Sequence, residues 1–209
     1  MINVCVPVFK RYDMLKKLVA SVPVQHQIHI IDNGRNAGLL SWALGGREAF
    51  VKIPDAPMGL AESWNWFINN VPEDRCITND DIEFAPNSLE RMAAAKADFV
   101  SGSFGFSCFF IRQGCIDHVG LFDEAISPGY AYFEDMDYLR RMRAAGVVDD
   151  VVECGVLHHQ SQTVKAFSPE EMQEHNRKFY LAQENYTRKW ASNPSWEQLR
   201  TINGQGVHA

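Results

Sequence analysis

Apolar and polar positions along this chain alternate between a two-residue and a helical period. Ile2-Asn3-Val4-Cys5-Val6 is a β-rich apolar run closed by Pro7, and the stretch after it sets Leu15, Leu18 and Val19 on one helical face. Gln27 to Ile31 predicts a second short strand ending in the turn signal Asp32-Asn33-Gly34. Ala49 to Ile53 predicts a third, ending before Pro54. From Gly59 to Asn69 apolar residues recur at Leu60, Trp64, Phe67 and Ile68, so this segment is a helix whose large side chains, Trp66 among them, face a core. Cys76-Ile77-Thr78 predicts a fourth strand that runs straight into Asn79-Asp80-Asp81. Asn87 followed by Glu90 reads as a capped helix start.

The second half changes style. Phe99 to Ser103 and Phe106 to Arg112 read as strands, and Gln113 to Val119 as a short helix. Gly120-Leu121-Phe122-Asp123-Glu124 and Ser127-Pro128-Gly129-Tyr130 are loop-like. Glu134-Asp135-Met136-Asp137 then opens a helix that runs to about Ala145, where Gly146 stops it. Acidic residues in a first turn are favoured by the helix dipole alone, so that cluster also has a purely structural reading. A strand from Val151 to Leu157 leads into His158 and His159. Ser168-Pro169-Glu170-Glu171 is a capping box opening a helix that carries Phe179, Tyr180 and Tyr186.

Alternating strands and helices with short connections predict an α/β fold, a mainly parallel sheet flanked by helices on both faces. Ligands of such sheets bind beyond the carboxyl ends of the strands. That rule makes Pro7 to Arg11, Asp32 to Gly34 and Asn79 to Asp81 neighbours. With no repeat, low-complexity stretch or linker, residues 1–165 are expected to form one domain and residues 166–209 its helical C-terminal extension.

Composition narrows the class. Of 209 residues 46% are hydrophobic and 22% charged, which excludes wholesale disorder. Lys and Arg total 20 against 26 Asp and Glu, a net charge of −6 that disfavours broad attraction to nucleic acid or anionic membrane. No apolar run approaches the ~18 residues of a membrane span. The first residues lack a basic leader and a small-residue cleavage site, so a cytoplasmic location is expected. Five cysteines, an odd number without CxxC spacing, sit mostly beside apolar residues, as buried thiols do in a reducing compartment.

Two acidic clusters more than fifty residues apart, Asn79-Asp80-Asp81 and Glu134-Asp135-x-Asp137, join the histidine pair as candidate chemistry. Carboxylate and imidazole together suit Mg²⁺ or Mn²⁺. Magnesium often takes only one or two protein carboxylates and completes its shell with phosphate oxygens and water, which points to a nucleoside diphosphate.

These motifs also carry a resemblance. Val4-Cys5-Val6-Pro7-Val8-Phe9-Lys10-Arg11 is similar to "V-x-x-P-x-Y-N-R", Ile30-Ile31-Asp32-Asn33-Gly34 to "V-V-D-N-G/S", and Thr78-Asn79-Asp80-Asp81 to a DxD-type motif. Gly120-Leu121-Phe122-Asp123-Glu124 with Glu134-Asp135-Met136-Asp137 and Arg141 resembles "G-G-F-D-E … E-D-x-D … R", and His158 to Thr163 resembles "H-x-x-G-x-S/T". In this order, over residues 1–165, they resemble the GT-A-fold glycosyltransferases of the inverting family 2 type. The resemblance implies a nucleotide-diphosphate sugar donor, Mn²⁺ or Mg²⁺, and a saccharide, lipid-linked or other hydroxyl acceptor, with nucleic acid less favoured.

Roles follow residue by residue. Asp32 and the loop Pro7, Val8, Phe9 and Arg11 would contact the donor nucleoside. Asp81 would bind the metal, with Asp80 and Asn79 beside it. Asn79 replaces the family's first acid, which argues against direct metal contact there. His158, rather than His159, matches the later ligand position. Asp135 would be the general base, and Glu134 would orient the loop or the acceptor. Asp137 and Arg141 are four apart and read as a structural ion pair. Tyr130 and Tyr132 are placed to pack against a sugar ring. The competing readings are a nucleotidyltransferase, disfavoured by the absence of glycine from the loop after the first strand, and a non-catalytic nucleotide-sugar or glycan binder.

Overall fold

A computed structural model describes residues 1–129, 131–160 and 162–191. In chain order the elements are β1 (Asn3–Val8), α1 (Tyr12–Ser21), β2 (Gln27–Asp32), α2 (Ala37–Leu44), β3 (Phe50–Lys52), α3 (Leu60–Asn70), β4 (Arg75–Thr78), β5 (Ile82–Glu83) and α4 (Ser88–Ala94). They continue with β6 (Phe99–Gly102), β7 (Gly105–Ile111), α5 (Gln113–Val119), α6 (Glu134–Ala144), β8 (Asp149–Val151), β9 (Leu157–His158), α7 (Gln162–Lys165) and α8 (Pro169–Ala191). Seven strands form one sheet in the order β3-β2-β1-β4-β7-β6-β8, and β5 pairs with β9 in a separate ribbon. Within the sheet only β7 runs against the rest, pairing antiparallel with both β4 and β6.

The sheet is buried on both faces because its strands feed two cores. Val4, Val6 and Val8 of β1 face a cluster with Leu15 and Leu18 of α1 and Met92 of α4. Cys5, one pleat away, faces Trp64 and Phe67 of α3 and Tyr138 of α6. Each fully buried Leu or Phe in these layers contributes about 1.5–3 kcal/mol relative to an exposed position. The register Val8↔Asp32 sets the first two strand ends side by side. Close approach there depends on Gly34, where an added Cβ would overlap the Phe9 carbonyl oxygen and the Tyr12 hydroxyl.

Three expectations change. Val151 to Leu157 is not one strand: β8 ends at Val151 and β9 starts at Leu157, with Gly155 between them in the left-handed region at φ 75°. Asn87 does not cap α4 through its side chain and itself takes φ 63°. Three elements, α2, the two-residue β5 and the four-residue α7, have no counterpart in the hydrophobic pattern. The capping box at Ser168 does form. The Ser168 N–H donates to Glu171 Oε2 at 2.8 Å, and the Glu171 N–H donates to Ser168 Oγ at 3.3 Å.

Helix α8 packs Tyr186 and Trp190 on Ile126 and Phe133. Asn185 Nδ2 donates to the carbonyls of Ala125 and Ile126 at 3.1 and 3.3 Å. Residues 192–209 of the expected extension lie outside the described residues. No described helix is long and apolar enough to cross a membrane. All five cysteines are buried free thiols, and burial pushes those of Cys5, Cys76, Cys115 and Cys154 above the usual range.

Candidate active site

The polar loops converge where β1, β2 and β4 end. On β1 the Val8 side chain belongs to the core and its carbonyl accepts the Asn33 N–H at 2.8 Å, so Pro7, Phe9 and Arg11 form the accessible part of that loop. At the end of β2 Asp32 is fully buried. Its Oδ1 accepts the Tyr12 hydroxyl and, at 3.0 Å, the Arg35 N–H, while its Oδ2 has no partner among the described residues. Burial, and then the Asp32 hydrogen bond, push the Tyr12 phenol upward, so it stays a donor. A buried carboxylate oxygen left open is costly unless a ligand donor meets it. Asn33 Oδ1 accepts the Met58 N–H at 2.8 Å and ties this loop to the start of α3.

Beyond β4, Asn79 is half-buried and its N–H donates to the Ser107 carbonyl at 2.9 Å. Asp80 and Asp81 are both buried. Burial, reinforced by Asp81 and opposed by Arg11, pushes the Asp80 carboxyl up to about 8. His158 reaches Asp81 because β5 pairs with β9 in the register Ile82↔His158, and its Nε2 lies 3.2 Å from Asp81 Oδ1. The next residue points elsewhere: His159 Nε2 is 2.5 Å from Glu83 Oε1. A ring edge of Phe104 covers His158, with centroids 5.3 Å apart.

Gln162 joins these groups. Its N–H donates to Asp81 Oδ2 at 3.3 Å, its Nε2 donates to the His159 carbonyl at 2.8 Å, and its Oε1 accepts Arg11 Nη1 at 2.9 Å. Arg11 also forks onto Asp13 through Nε at 2.8 Å and Nη2 at 2.5 Å. Lys10, the neighbour of Arg11, pairs with Glu171 of α8. Among the described residues no three His, Cys, Asp or Glu side chains are grouped to hold a metal. Asp81 and His158 nonetheless set an oxygen and a nitrogen donor side by side, 3.2 Å apart, and the chemistry of that pair is of a kind that could take part in a metal site. Such a donor pair is chemically compatible with Mn²⁺ or Mg²⁺, ions that can complete their shell with phosphate oxygens and water.

The second cluster opens α6. Because α6 leads into β8, which runs parallel to β6, the start of α6 lies toward the carboxyl end of the sheet. Tyr132 and Phe133, at φ 102° and 68°, turn the chain there in the left-handed region. Glu134 is buried with Oε2 unpartnered, and burial with the adjacent Asp135 pushes it up to about 8. Asp135 is also raised by burial, while its Oδ1 accepts the Met136 N–H at 2.7 Å. Asp137 is fully buried and satisfied: Oδ2 accepts Arg141 Nε at 2.9 Å, and Oδ1 accepts Trp190 Nε1 at 3.0 Å and meets Lys189 Nζ at 2.7 Å. The ion pair with Arg141 is present, and α8 supplies the other two partners. Tyr132 packs its ring on His175 and Phe179 of α8; Tyr130 and Ser161 lie outside the described residues.

Asn65 was not singled out by sequence. It is buried on α3, accepts the Phe122 N–H at 2.9 Å and donates through Nδ2 to the Phe122 carbonyl and Glu124 Oε1 at 2.9 and 2.8 Å. It thereby pins the Gly120 to Glu124 loop that precedes the second cluster. The one signal was a polar residue between Trp64 and Trp66.

No protein-family model and no curated protein matches the sequence. Solved structures do. TarS residues 1–349 of S. aureus, in complex with UDP-GlcNAc, matches 93% of this chain and 74% of its own at 13% identity and a TM-score of 0.58. GalNAc-T7, with UDP, GalNAc and Mn²⁺, matches 94% of this chain at 12% identity and a TM-score of 0.55, and this chain spans 52% of that one. At such identities the likeness is one of architecture: the chain has a GT-A-like glycosyltransferase fold, a seven-stranded, mostly parallel sheet between helical layers.

Proposed function

We propose that this chain is a metal-dependent inverting glycosyltransferase of the family 2 type, acting in the cytoplasm. It moves a sugar from a nucleoside-diphosphate sugar to the hydroxyl of a saccharide, lipid-linked or other acceptor. The observation that carries the reading is the Asp81–His158 pair, brought together by the β5–β9 ribbon at the end of β4. TarS and GalNAc-T7, which share this architecture, were solved with UDP-GlcNAc and with UDP and Mn²⁺.

In this reading Asp32, through its open Oδ2, accepts a hydrogen bond from the donor nucleoside, flanked by Pro7, Phe9 and Arg11. Asp81 and His158 would hold Mn²⁺ or Mg²⁺, with Asp80 and Asn79 beside them. The ion would supply charge stabilisation of the leaving diphosphate. Asp135 takes the acceptor proton as its oxygen attacks the anomeric carbon from the face opposite the nucleotide. Glu134, raised to about 8, is protonated at neutral pH and can donate a hydrogen bond that orients the acceptor.

Incubation with Mn²⁺ or Mg²⁺ and a panel of nucleoside-diphosphate sugars should release free sugar slowly. Once an acceptor is found, the product should carry the inverted anomer by NMR. Pyrophosphate chemistry would replace this reading with a nucleotidyltransferase, and binding without turnover would replace it with a sugar-nucleotide binder.

A further inference from the structure

Strand β3 closes one side of the sheet and pairs only with β2. Its outer side is unusually apolar for an edge. Phe50 is 61% exposed, Val51 39% and Ile53 53%, on a strand with no charge before Lys52. Edge strands of soluble proteins are normally blunted by charges, proline or a covering element, because unpaired N–H and C=O groups template another strand. The Phe50 ring is held in place rather than loose, stacked on His29 of β2 at 4.9 Å and 12°.

The sequence of this edge is self-complementary. Side chains of a strand alternate faces, so Phe50 and Lys52 share one face, and Glu48, just before the strand, joins that face once pairing extends β3 by two residues. Place a second copy antiparallel about a two-fold axis at Phe50. Glu48 then stands opposite Lys52, Phe50 opposite Phe50, and Lys52 opposite Glu48, while Ala49 meets Val51 on the other face. Directly opposed opposite charges and aromatic pairs stabilise antiparallel strands. Neighbouring registers lose this match. A two-residue slip sets Phe50 against Lys52 or against Glu48, a four-residue slip sets Lys52 against Lys52 in one direction and Glu48 against Glu48 in the other, and a one-residue slip reverses the faces. Glu48 is exposed, and Lys52 is half-buried with its ammonium 5.4 Å from the Trp66 ring centroid.

We propose that β3 is a homodimer interface, through which two copies join their seven-stranded sheets into one continuous sheet with Phe50 at the two-fold axis. The contact is isologous, so it closes at two copies and uses up both β3 edges, leaving the short β8 as the outer strand at each end. It lies at the side of the sheet and uses none of the residues assigned to the active site.

Sedimentation velocity across a wide concentration range tests it. The wild-type chain should show a monomer–dimer equilibrium. Glu48→Lys and Lys52→Glu each convert both opposed pairs into like-charge pairs and should weaken dimerisation by about tenfold or more. An equimolar mixture of the two variants restores both attractive pairs and should form a heterodimer, as should the double variant with itself. Circular-dichroism spectra matching wild type, with a cooperative melt, verify that the variants fold, since loss of the dimer by itself lowers the melting temperature. A wild-type chain that stays monomeric at every concentration overturns the proposal. So does a dimer indifferent to either single reversal, or single variants that fail to recover on mixing.

Discussion

His158 and Asp81 lie 77 positions apart in sequence, yet His158 Nε2 stands 3.2 Å from Asp81 Oδ1 because a two-residue ribbon pairs the segments that carry them. His159, one residue on, turns its ring to Glu83 instead.

This division makes the histidines separable. His158→Ala should lower metal-dependent nucleotide affinity by roughly tenfold or more, as loss of a metal-site group does. Asp81→Ala should abolish the metal dependence, and His159→Ala should leave it intact. Isothermal titration of UDP and other nucleoside diphosphates, with and without Mn²⁺, reads all three. Equal losses in the two histidine variants would exclude the assignment.

Asp135→Asn retains size and much of the hydrogen bonding but cannot accept a proton. Turnover should fall by roughly 10²–10⁴-fold with donor affinity unchanged. A variant that keeps its rate per folded molecule within about tenfold of wild type, below that range, would reduce Asp135 to a helix-start residue.

Glu134 should leave a signature in stability against pH. Burial, with Asp135 adding to it, raises its folded-state value from 4.5 to about 8. Between those values the native state keeps a proton that the unfolded chain releases, so this group makes stability fall as pH rises from about 4.5 to about 8. The favourable contribution is complete below that window and lost through it. Glu134→Gln cannot ionise, so its melting temperature relative to wild type should climb across the same range. Parallel melting curves at pH 5 and pH 8, taken as about the ends of that window, would refute the buried neutral acid.

Asp137 should matter to the fold and not to the chemistry. Removing a fully buried carboxylate that meets Arg141, Trp190 and Lys189 strands those partners, at a cost of about 3–5 kcal/mol. Urea denaturation of Asp137→Ala gives the magnitude. Trp190→Phe, which loses the indole donor and part of a buried ring, should cost about 1.5–3 kcal/mol, as loss of a hydrogen bond to a charged group does.

Much of this architecture was legible because β1, β2 and β4 are apolar runs ending in polar turns, and α3 and α8 carry a stripe or a cap. Helix α2 escaped because Ala37 to Leu44 is apolar nearly all round, with Gly38 in its first turn, so no stripe marks it. Val151 to Leu157 reads as one strand by composition, but Gly155 turns the chain inside it. The strand-end carboxylates were visible as types at strand ends. Long-range partners were not: nothing local to Asn65, Gln162 or Trp190 says that they meet Phe122, Arg11 or Asp137.

The course of α8 has a mechanical consequence. Its 23 residues span about 34 Å. At one end Glu171 holds Lys10 of the β1 loop; at the other Lys189 and Trp190 hold Asp123 and Asp137. The helix is thus a calliper whose jaws rest on the nucleoside side and the hydroxyl side of the proposed reaction. A fray at either jaw lets that side drift while the sheet beneath stays whole, so loss of alignment should precede loss of fold on gentle warming.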